Sequence, residues 1–338
     1  MTVCLGQPLS ESIAEHIGAT PLVTLNRLPA SLGIKAKVCA KLEYFNAGGS
    51  VKDRIARRMV EQAEKDGLIK PGDTLIEASS GNTGIAIALM AAIKGYKCII
   101  TLSEKMSQEK EQILLALGAQ VVRTPAGVPI ESPGSILSVA RRLHQEIPNS
   151  YILDQYNNPE NPLAHEIGTA QEIWYQIQGK VDVVLAGAGT GGTVTGLARG
   201  LKQKNPDVHV VGVDPLGSIL AQTPALNERK SEYKVEGIGY DFVPAVLDQG
   251  ALDLWVKTTD KNSFQLARRL VREEGLMCGG SSGAAFAGLV EFLQLHPEFN
   301  SEEKAIVLVF ADSLRNYLTK FADDTWMESN GYLSLNNK

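Results

Sequence analysis

Metal-binding and disulfide patterns are missing from this chain of 338 residues. Its four cysteines, Cys4, Cys39, Cys98 and Cys278, stand far apart with no CxxC spacing, which argues against a disulfide framework or a structural zinc site and fits a reducing compartment. The histidines are scattered and no HExxH pair occurs, so a metal centre has no support. No apolar run approaches the roughly 20 residues that span a bilayer. The opening residues, 1–6, have neither the basic nor the long apolar stretch of a signal peptide. Positive charge is scarce as well. Lys and Arg total 33 against 38 Asp and Glu, a net charge of -5, which leaves no basic surface for nucleic acid or an anionic membrane. Repeats and low-complexity tracts are absent too. We therefore expect a cytoplasmic protein without nucleic-acid or membrane partners.

What is present is an ordinary globular composition, 44 % hydrophobic and 21 % charged, which allows a substantial core. Short apolar runs predict strands at 37–42, 74–77, 98–102, 120–124, 151–153, 181–186, 209–213 and 305–310. Amphipathic or apolar helical patterns predict helices at 55–65, 85–94, 107–117, 135–145, 164–177, 194–203, 263–273 and 284–295. This alternation reads as βαβ units with mostly parallel sheets. The strand runs are nearly continuous in apolar residues, as happens when helices cover both faces. Loop-rich stretches fall at 125–133, near an expected domain boundary, and at 214–244.

Four glycine-rich elbows lead into helices, whose free N–H groups and positive dipole ends bind anions. The first runs from Asn46 to Arg54. Ser50 and Asp53 have the spacing of a capping box, which would leave Lys52 a solvated lysine. A cation in a first helical turn is disfavoured by the dipole, however, and an amine with a lowered pKa suits imine formation. The second, from Glu77 to Gly84, carries hydroxyls and an amide able to clamp a carboxylate, or simply to cap a turn. The third, from Gly187 to Thr193, satisfies GxGxxG directly after a predicted strand, and Asp214 follows at the end of the next one. Dinucleotide binding by an NAD-dependent dehydrogenase is therefore a standing alternative to another phosphate cradle. The fourth, from Cys278 to Gly283, places a serine at a helix start, where it caps the helix or faces a ring nitrogen. One cofactor bearing a phosphate, an aldehyde, a phenolic oxygen and a pyridine nitrogen would use all four elbows, whereas a dehydrogenase needs one.

These residues resemble the fold-type II pyridoxal-phosphate enzymes, the group of cysteine synthase, serine dehydratase and the tryptophan synthase β-chain. The likeness runs from HIGATPL at 16–22 to about Trp326. Four strings resemble the catalytic core of the cystathionine β-synthase branch in particular: DQYNNP at 154–159, DPLGSIL at 214–220, VEGIGYDFVP at 235–244 and DSLRNYLTKF at 312–321. The resemblance implies two three-layer α/β domains, a smaller one at 41–155 and a larger one from 1–40 and 156–330. It implies that Lys52 holds pyridoxal phosphate as a Schiff base and that Asn82 bonds the ring hydroxyl. Gly189, Thr190, Gly191, Gly192 and Thr193 would cradle the phosphate, and Ser281 would face the pyridine nitrogen. Ser79, Ser80, Asn82, Thr83 and Gln155 would take the substrate carboxylate. Tyr156, Gly237, Gly239 and Tyr240 would shape the site of the second substrate.

The implied reaction is β-replacement on serine by the thiol of homocysteine, giving cystathionine, with a hydrogen-sulfide-producing side activity on cysteine. Cysteine synthase chemistry, with O-acetylserine and sulfide, is the alternative within the family. A homodimer is expected. Two positions depart from the family pattern: Ala47 stands where proline is usual, and Ser79, which keeps a hydroxyl, stands where threonine is usual. From the residues before His16 and after Trp326 we expect no haem-binding extension, no haem, and no regulatory domain pair.

Overall fold

The computed structural model describes residues 9–333 apart from 80, 105, 126–127, 130–131, 222 and 230. Among the described residues ten strands form two sheets. The larger holds β1 (Leu22–Thr24), β2 (Lys37–Leu42), β7 (Val183–Gly187), β8 (His209–Pro215), β9 (Leu254–Thr258) and β10 (Ala305–Phe310), in the order β1-β2-β10-β7-β8-β9. Every pairing in it is parallel except that of β1 with β2. The smaller, fully parallel sheet holds β3 (Thr74–Ala78), β4 (Lys97–Ser103), β5 (Gln120–Thr124) and β6 (Ser150–Ile152), in the order β5-β4-β3-β6. The two mostly parallel sheets match the expected fold class.

Burial explains why the strands were visible as unbroken apolar runs. All of β3 and β10 and most of β2 and β7 are buried, because helices pack on both faces. One core fills each face of the large sheet. Val38, Leu185 and Phe286 belong to the first, and Cys39, Val184 and Leu197 to the second. A third core, around Ile55, Leu75, Ile87 and Ile100, joins the small sheet to the helices Lys52–Lys65 and Asn82–Lys94. The stretch 125–133 lies between β5 and the helix Ile136–Glu146, which packs on β3, β4 and β6. It is thus a connection within the small-sheet layer, not a boundary between the sheets.

The helix expected at 164–177 is interrupted. It consists of Glu160–Ala164, a π-turn at His165–Thr169, and Ala170–Gln176. Strands β1 and β9 went unforeseen. The first has three residues, and the second carries Lys257, whose charge is neutralised by Asp214 at 2.6 Å in the interior.

A buried ion cluster ties the Lys52–Lys65 helix to the large sheet. Arg54 Nε and Nη2 donate to Glu43 at 2.6 and 2.9 Å, while Nη1 and Nη2 donate to Glu172 at 2.7 Å each. Lys41 of β2 adds a bond to Glu172 at 2.6 Å. Burial opposes ionisation of Glu172, but Arg54 and Lys41 outweigh it and hold the carboxyl down at about 2. A carboxyl depressed from 4.5 contributes stability that is complete above its unfolded value and lost as pH falls toward 2. Glu172→Gln should therefore cost about 2–3 kcal/mol in denaturant unfolding at pH 7. It should also flatten the acid limb of the stability curve below pH 4.5, and an acid limb as steep as the parent's would contradict the pairing.

Candidate active site

Parallel sheets gather loops at the carboxyl ends of their strands, and ligands bind where neighbouring strands lead apart. Here β7 continues outward to β8, while its neighbour β10 is reached only by a return across the sheet. All four elbows meet over this point. They enclose a cleft of about 760 Å³, open mouth included, whose wall contains Lys52, Asn82, Thr83, Gln155, Gly189, Thr190, Gly191, Thr193, Gly237, Tyr240 and Ser281.

The first elbow is locked from outside. Val51 N–H donates to Ala311 O at 2.8 Å, and Ser50 forms a bridge with Asp312. The capping residues are used, but not as the plain capping box predicts. Ser50 Oγ accepts from Lys52 N–H at 3.2 Å, and the Asp53 carboxylate reaches back to Gly48 N–H at 2.8 Å. Lys52 is thereby the first helical residue, with its side chain in the cleft. No group among the described residues accepts a hydrogen bond from its amine. Burial lowers its pKa to about 8, against the opposing pull of the Asp312 carboxylate.

In the second elbow Ser79 is fully buried. Its Oγ accepts from Gly81 N–H at 3.1 Å and Gly84 N–H at 2.8 Å, so it builds the loop and keeps only its proton to give. Ser80 lies outside the described residues. Asn82 begins its helix and donates through Nδ2 to Asp312 Oδ2 at 2.8 Å. Thr83 donates to Gln155 Oε1 at 2.7 Å, and Gln155 Nε2 donates to Ala78 O at 3.1 Å, which fixes this pair on the wall.

The third elbow requires glycine. Gly191, at φ +84°, is left-handed and faces Leu247. A Cβ on Gly189 would stand 2.5 Å from Gly237 O, so the 235–240 segment can close over the loop only here. Gly239 N–H fastens that closure by donating to Ala188 O at 2.8 Å. Gly192 opens the helix Gly192–Lys202, and Ser281 is the second residue of the helix Gly280–Leu295. Gly239 and Tyr156 stand behind the wall. The Tyr156 hydroxyl is 3.3 Å from that of Tyr240, and its ring lines a neighbouring groove with Phe242.

Asp214 is unavailable to a ribose. It is buried, and its carboxylate accepts from Lys257 Nζ at 2.6 Å and Ala221 N–H at 3.2 Å. The acidic residue that a dinucleotide needs is spent on an internal pair, and the dehydrogenase reading loses its support.

The family model of the pyridoxal-phosphate dependent enzymes matches residues 13–312. The chain belongs to the pyridoxal-phosphate-dependent enzyme family. Among relatives in this family, it is 54 % identical over 325 residues to the cystathionine beta-synthase of Dictyostelium discoideum, covering 96 % of this chain and 64 % of that protein. It is 54 % identical over 322 residues to the Rattus norvegicus enzyme of the same name, covering 95 % of this chain and 57 % of the other. The chain thus spans roughly three-fifths of the length of these relatives. A hydrogen sulfide-producing enzyme from Fusobacterium nucleatum superposes with a TM-score of 0.85 at 35 % identity, over 92 % of this chain and all of that one (100 %). An O-acetylserine dependent cystathionine beta-synthase from Helicobacter pylori does so with 0.84 at 35 % identity, over 93 % of this chain and 99 % of the other. Among the described residues no helix is long and apolar enough to cross a membrane, and no cluster of three potential ligands could hold a metal ion.

Sequence reasoning missed three parts of the site. Asp312 is buried between Asn82 and Tyr317, which both donate to its Oδ2. Its string was visible as a family signature, but nothing local gives it a role. Lys110 is a wall residue whose ammonium is 2.7 Å from Glu236 and 3.2 Å from the Tyr317 hydroxyl. In sequence its helix is simply one more helical candidate, and nothing local marks the lysine. His165 lies under the third elbow, inside what reads as an ordinary helix.

The lowered pKa makes a checkable statement about the cofactor-free protein. Acylation of Lys52 at limiting reagent, followed by peptide mapping, should titrate with a midpoint near 8, against 10.5 for an ordinary lysine. A midpoint at the ordinary value would show that the cleft does not desolvate the amine.

Proposed function

We propose that this chain catalyses pyridoxal-phosphate-dependent β-replacement on serine with homocysteine, giving cystathionine, as a cytoplasmic homodimeric lyase of amino-acid biosynthesis. The observation that carries the reading is the amine of Lys52, desolvated and without an acceptor among the described residues, in a cleft walled by all four elbows. The residues suit the cofactor. A neutral loop at a helix start suits a phosphate, with Gly189, Thr190, Gly191, Gly192 and Thr193 as its cradle. Asn82 has a second N–H beyond the one given to Asp312, free to reach the ring hydroxyl. Ser281, also on the cleft wall, would face the pyridine nitrogen. When bound, the cofactor supplies the electron sink that loosens bonds at the α-carbon of an amino acid.

The protein's own share is positioning and proton transfer. Ser79, Ser80, Asn82, Thr83 and Gln155 take the carboxylate of the first substrate and so fix which α-bond faces Lys52. An amine with its pKa near 8 is neutral in roughly a tenth of molecules near pH 7, a few hundred times the share of an ordinary lysine, and that neutral form is the base for the α-proton. The proton it gains can then assist departure of the β-hydroxyl. Ser281, a neutral hydroxyl, cannot hold a pyridine nitrogen protonated as a carboxylate would, which favours prompt loss of the β-group over transamination. Gly237 and Tyr240 shape the approach of the thiol from the wall, and Tyr156 and Gly239 support them from behind. No step is an electron transfer, so the reading calls for no haem.

A second reading follows from the solved neighbour named as O-acetylserine dependent. The same cleft would then take O-acetylserine in place of serine; cysteine synthesis, with sulfide as the nucleophile, is the further alternative within the family, and the neighbour named as hydrogen sulfide-producing suggests cysteine as another first substrate. Steady-state assays of serine with homocysteine, O-acetylserine with homocysteine, and O-acetylserine with sulfide decide between them. The first pair should give the highest kcat/KM, and a sulfide reaction that exceeds it would establish cysteine synthesis. Lys52→Ala should lose the visible absorbance of the lysine-bound cofactor and at least about 10²–10⁴ of turnover. Borohydride should fix the cofactor to the peptide containing Lys52 in the parent protein and to no peptide in the variant.

A further inference from the structure

Under the phosphate loop lies the π-turn His165–Thr169, a form of backbone frequent at functional sites. It presents the fully buried ring of His165 to two hydroxyls. Nδ1 is 2.9 Å from Thr169 Oγ1, and Nε2 is 3.2 Å from Thr193 Oγ1. Thr193 is on the cleft wall, whereas Thr169 is sealed behind it. Burial, reinforced by the cations of Arg54 and Lys52, lowers the ring's pKa to about 3, so the imidazole is neutral and carries one N–H.

A neutral ring lets the row Thr169–His165–Thr193 run in two directions only. In one, Thr193 gives its proton to Nε2 and shows the cleft nothing but lone pairs. In the other, Nε2–H donates to Thr193 Oγ1 and the threonine proton is free to point into the cleft. A phosphate oxygen accepts and cannot donate, so only the second direction binds it.

The neighbouring hydroxyl is set in the same way. Asn161 donates through Nδ2 to Gln155 O at 2.7 Å, and a carbonyl can only accept, which fixes the amide's orientation. The same NH₂ group therefore donates to Thr190 Oγ1 at 3.0 Å and leaves that threonine's proton for the cleft.

We propose that His165, in its Nε2–H form, is a positioning residue that turns the hydroxyl of Thr193 toward the cofactor's phosphate, with Thr169 closing the row by donating to Nδ1. This rests on the assignment of residues 189–193 to the phosphate. On that basis the loop binds a dianion by aiming neutral donors from behind.

The test combines histidine ¹³C and ¹⁵N NMR of the cofactor-loaded protein with absorbance titration of cofactor-free variants. The resonance assigned to His165 by its loss in His165→Gln should report the Nε2–H tautomer in the loaded state. His165→Leu should weaken cofactor binding about tenfold, the worth of one charge-assisted hydrogen bond. Thr193→Val should do the same, and the double variant should be no weaker than either single one. His165→Gln, which keeps an N–H, should bind more tightly than His165→Leu. An Nδ1–H tautomer in the loaded protein overturns the proposal without needing any variant to fold well. So does wild-type affinity in His165→Leu, or losses that multiply to about a hundredfold in the double variant. Wild-type affinity in Thr193→Val has a different meaning: it removes the phosphate assignment itself, and the relay with it.

Discussion

The placement of Lys52 depends on Arg54, two residues further along the same helix. Its guanidinium is held on one side by Glu43 and on the other by Glu172, with two contacts to each. Glu43 follows β2 directly and Glu172 belongs to Ala170–Gln176, so the start of the Lys52–Lys65 helix is pinned to two separate parts of the large-sheet layer. Charges this deeply buried are costly unless fully partnered, and the cluster tolerates little displacement of any member. A helix that belongs mainly to the small-sheet core is thereby registered against the large sheet. That is where the third elbow and Ser281 stand.

Around this anchor the site is built from backbone more than from side chains. Two of the elbows use their most polar residues to stabilise themselves: in the first Ser50 caps Lys52 and Asp53 reaches Gly48, and in the second Ser79 holds Gly81 and Gly84. Residues that read as ligand-binding in sequence thus divide into those that face the cleft and those that hold the facing groups in position. Asn82 does both, since one N–H of its amide is committed to Asp312.

Much of the fold was legible because strands buried on both faces lose their alternation and stand out as apolar runs. Strands at 37–42, 120–124 and 305–310 appear with the expected bounds. Helix starts were read about three residues late at Lys52, Asn82 and Gly280, because the first turns are made of glycine, serine and charged residues lacking an apolar period. The π-turn at His165–Thr169 left no trace, since one extra residue in a turn barely disturbs the hydrophobic pattern. In the site, the elbows announced themselves through their glycines. Asp214 misled, because a fingerprint spacing cannot show that a lysine 43 residues further on has already neutralised it. Asp312, Lys110 and His165 were silent for a related reason. Their meaning comes from partners that are distant in sequence, or from a turn that the sequence does not mark.

The contact of Lys110 with Glu236 gives the molecule a mechanical character. Lys110 comes from the helix Gln108–Ala116, which packs with β5 and the Asn82–Lys94 helix, whereas its partner Tyr317, and Val235 next to its partner Glu236, belong to the main core of the large sheet. Lys320 pairs with the same glutamate from the far side. Prising the layers apart would strand an ammonium and a carboxylate that are now almost dry. Separating the layers therefore carries the cost of leaving that pair uncompensated.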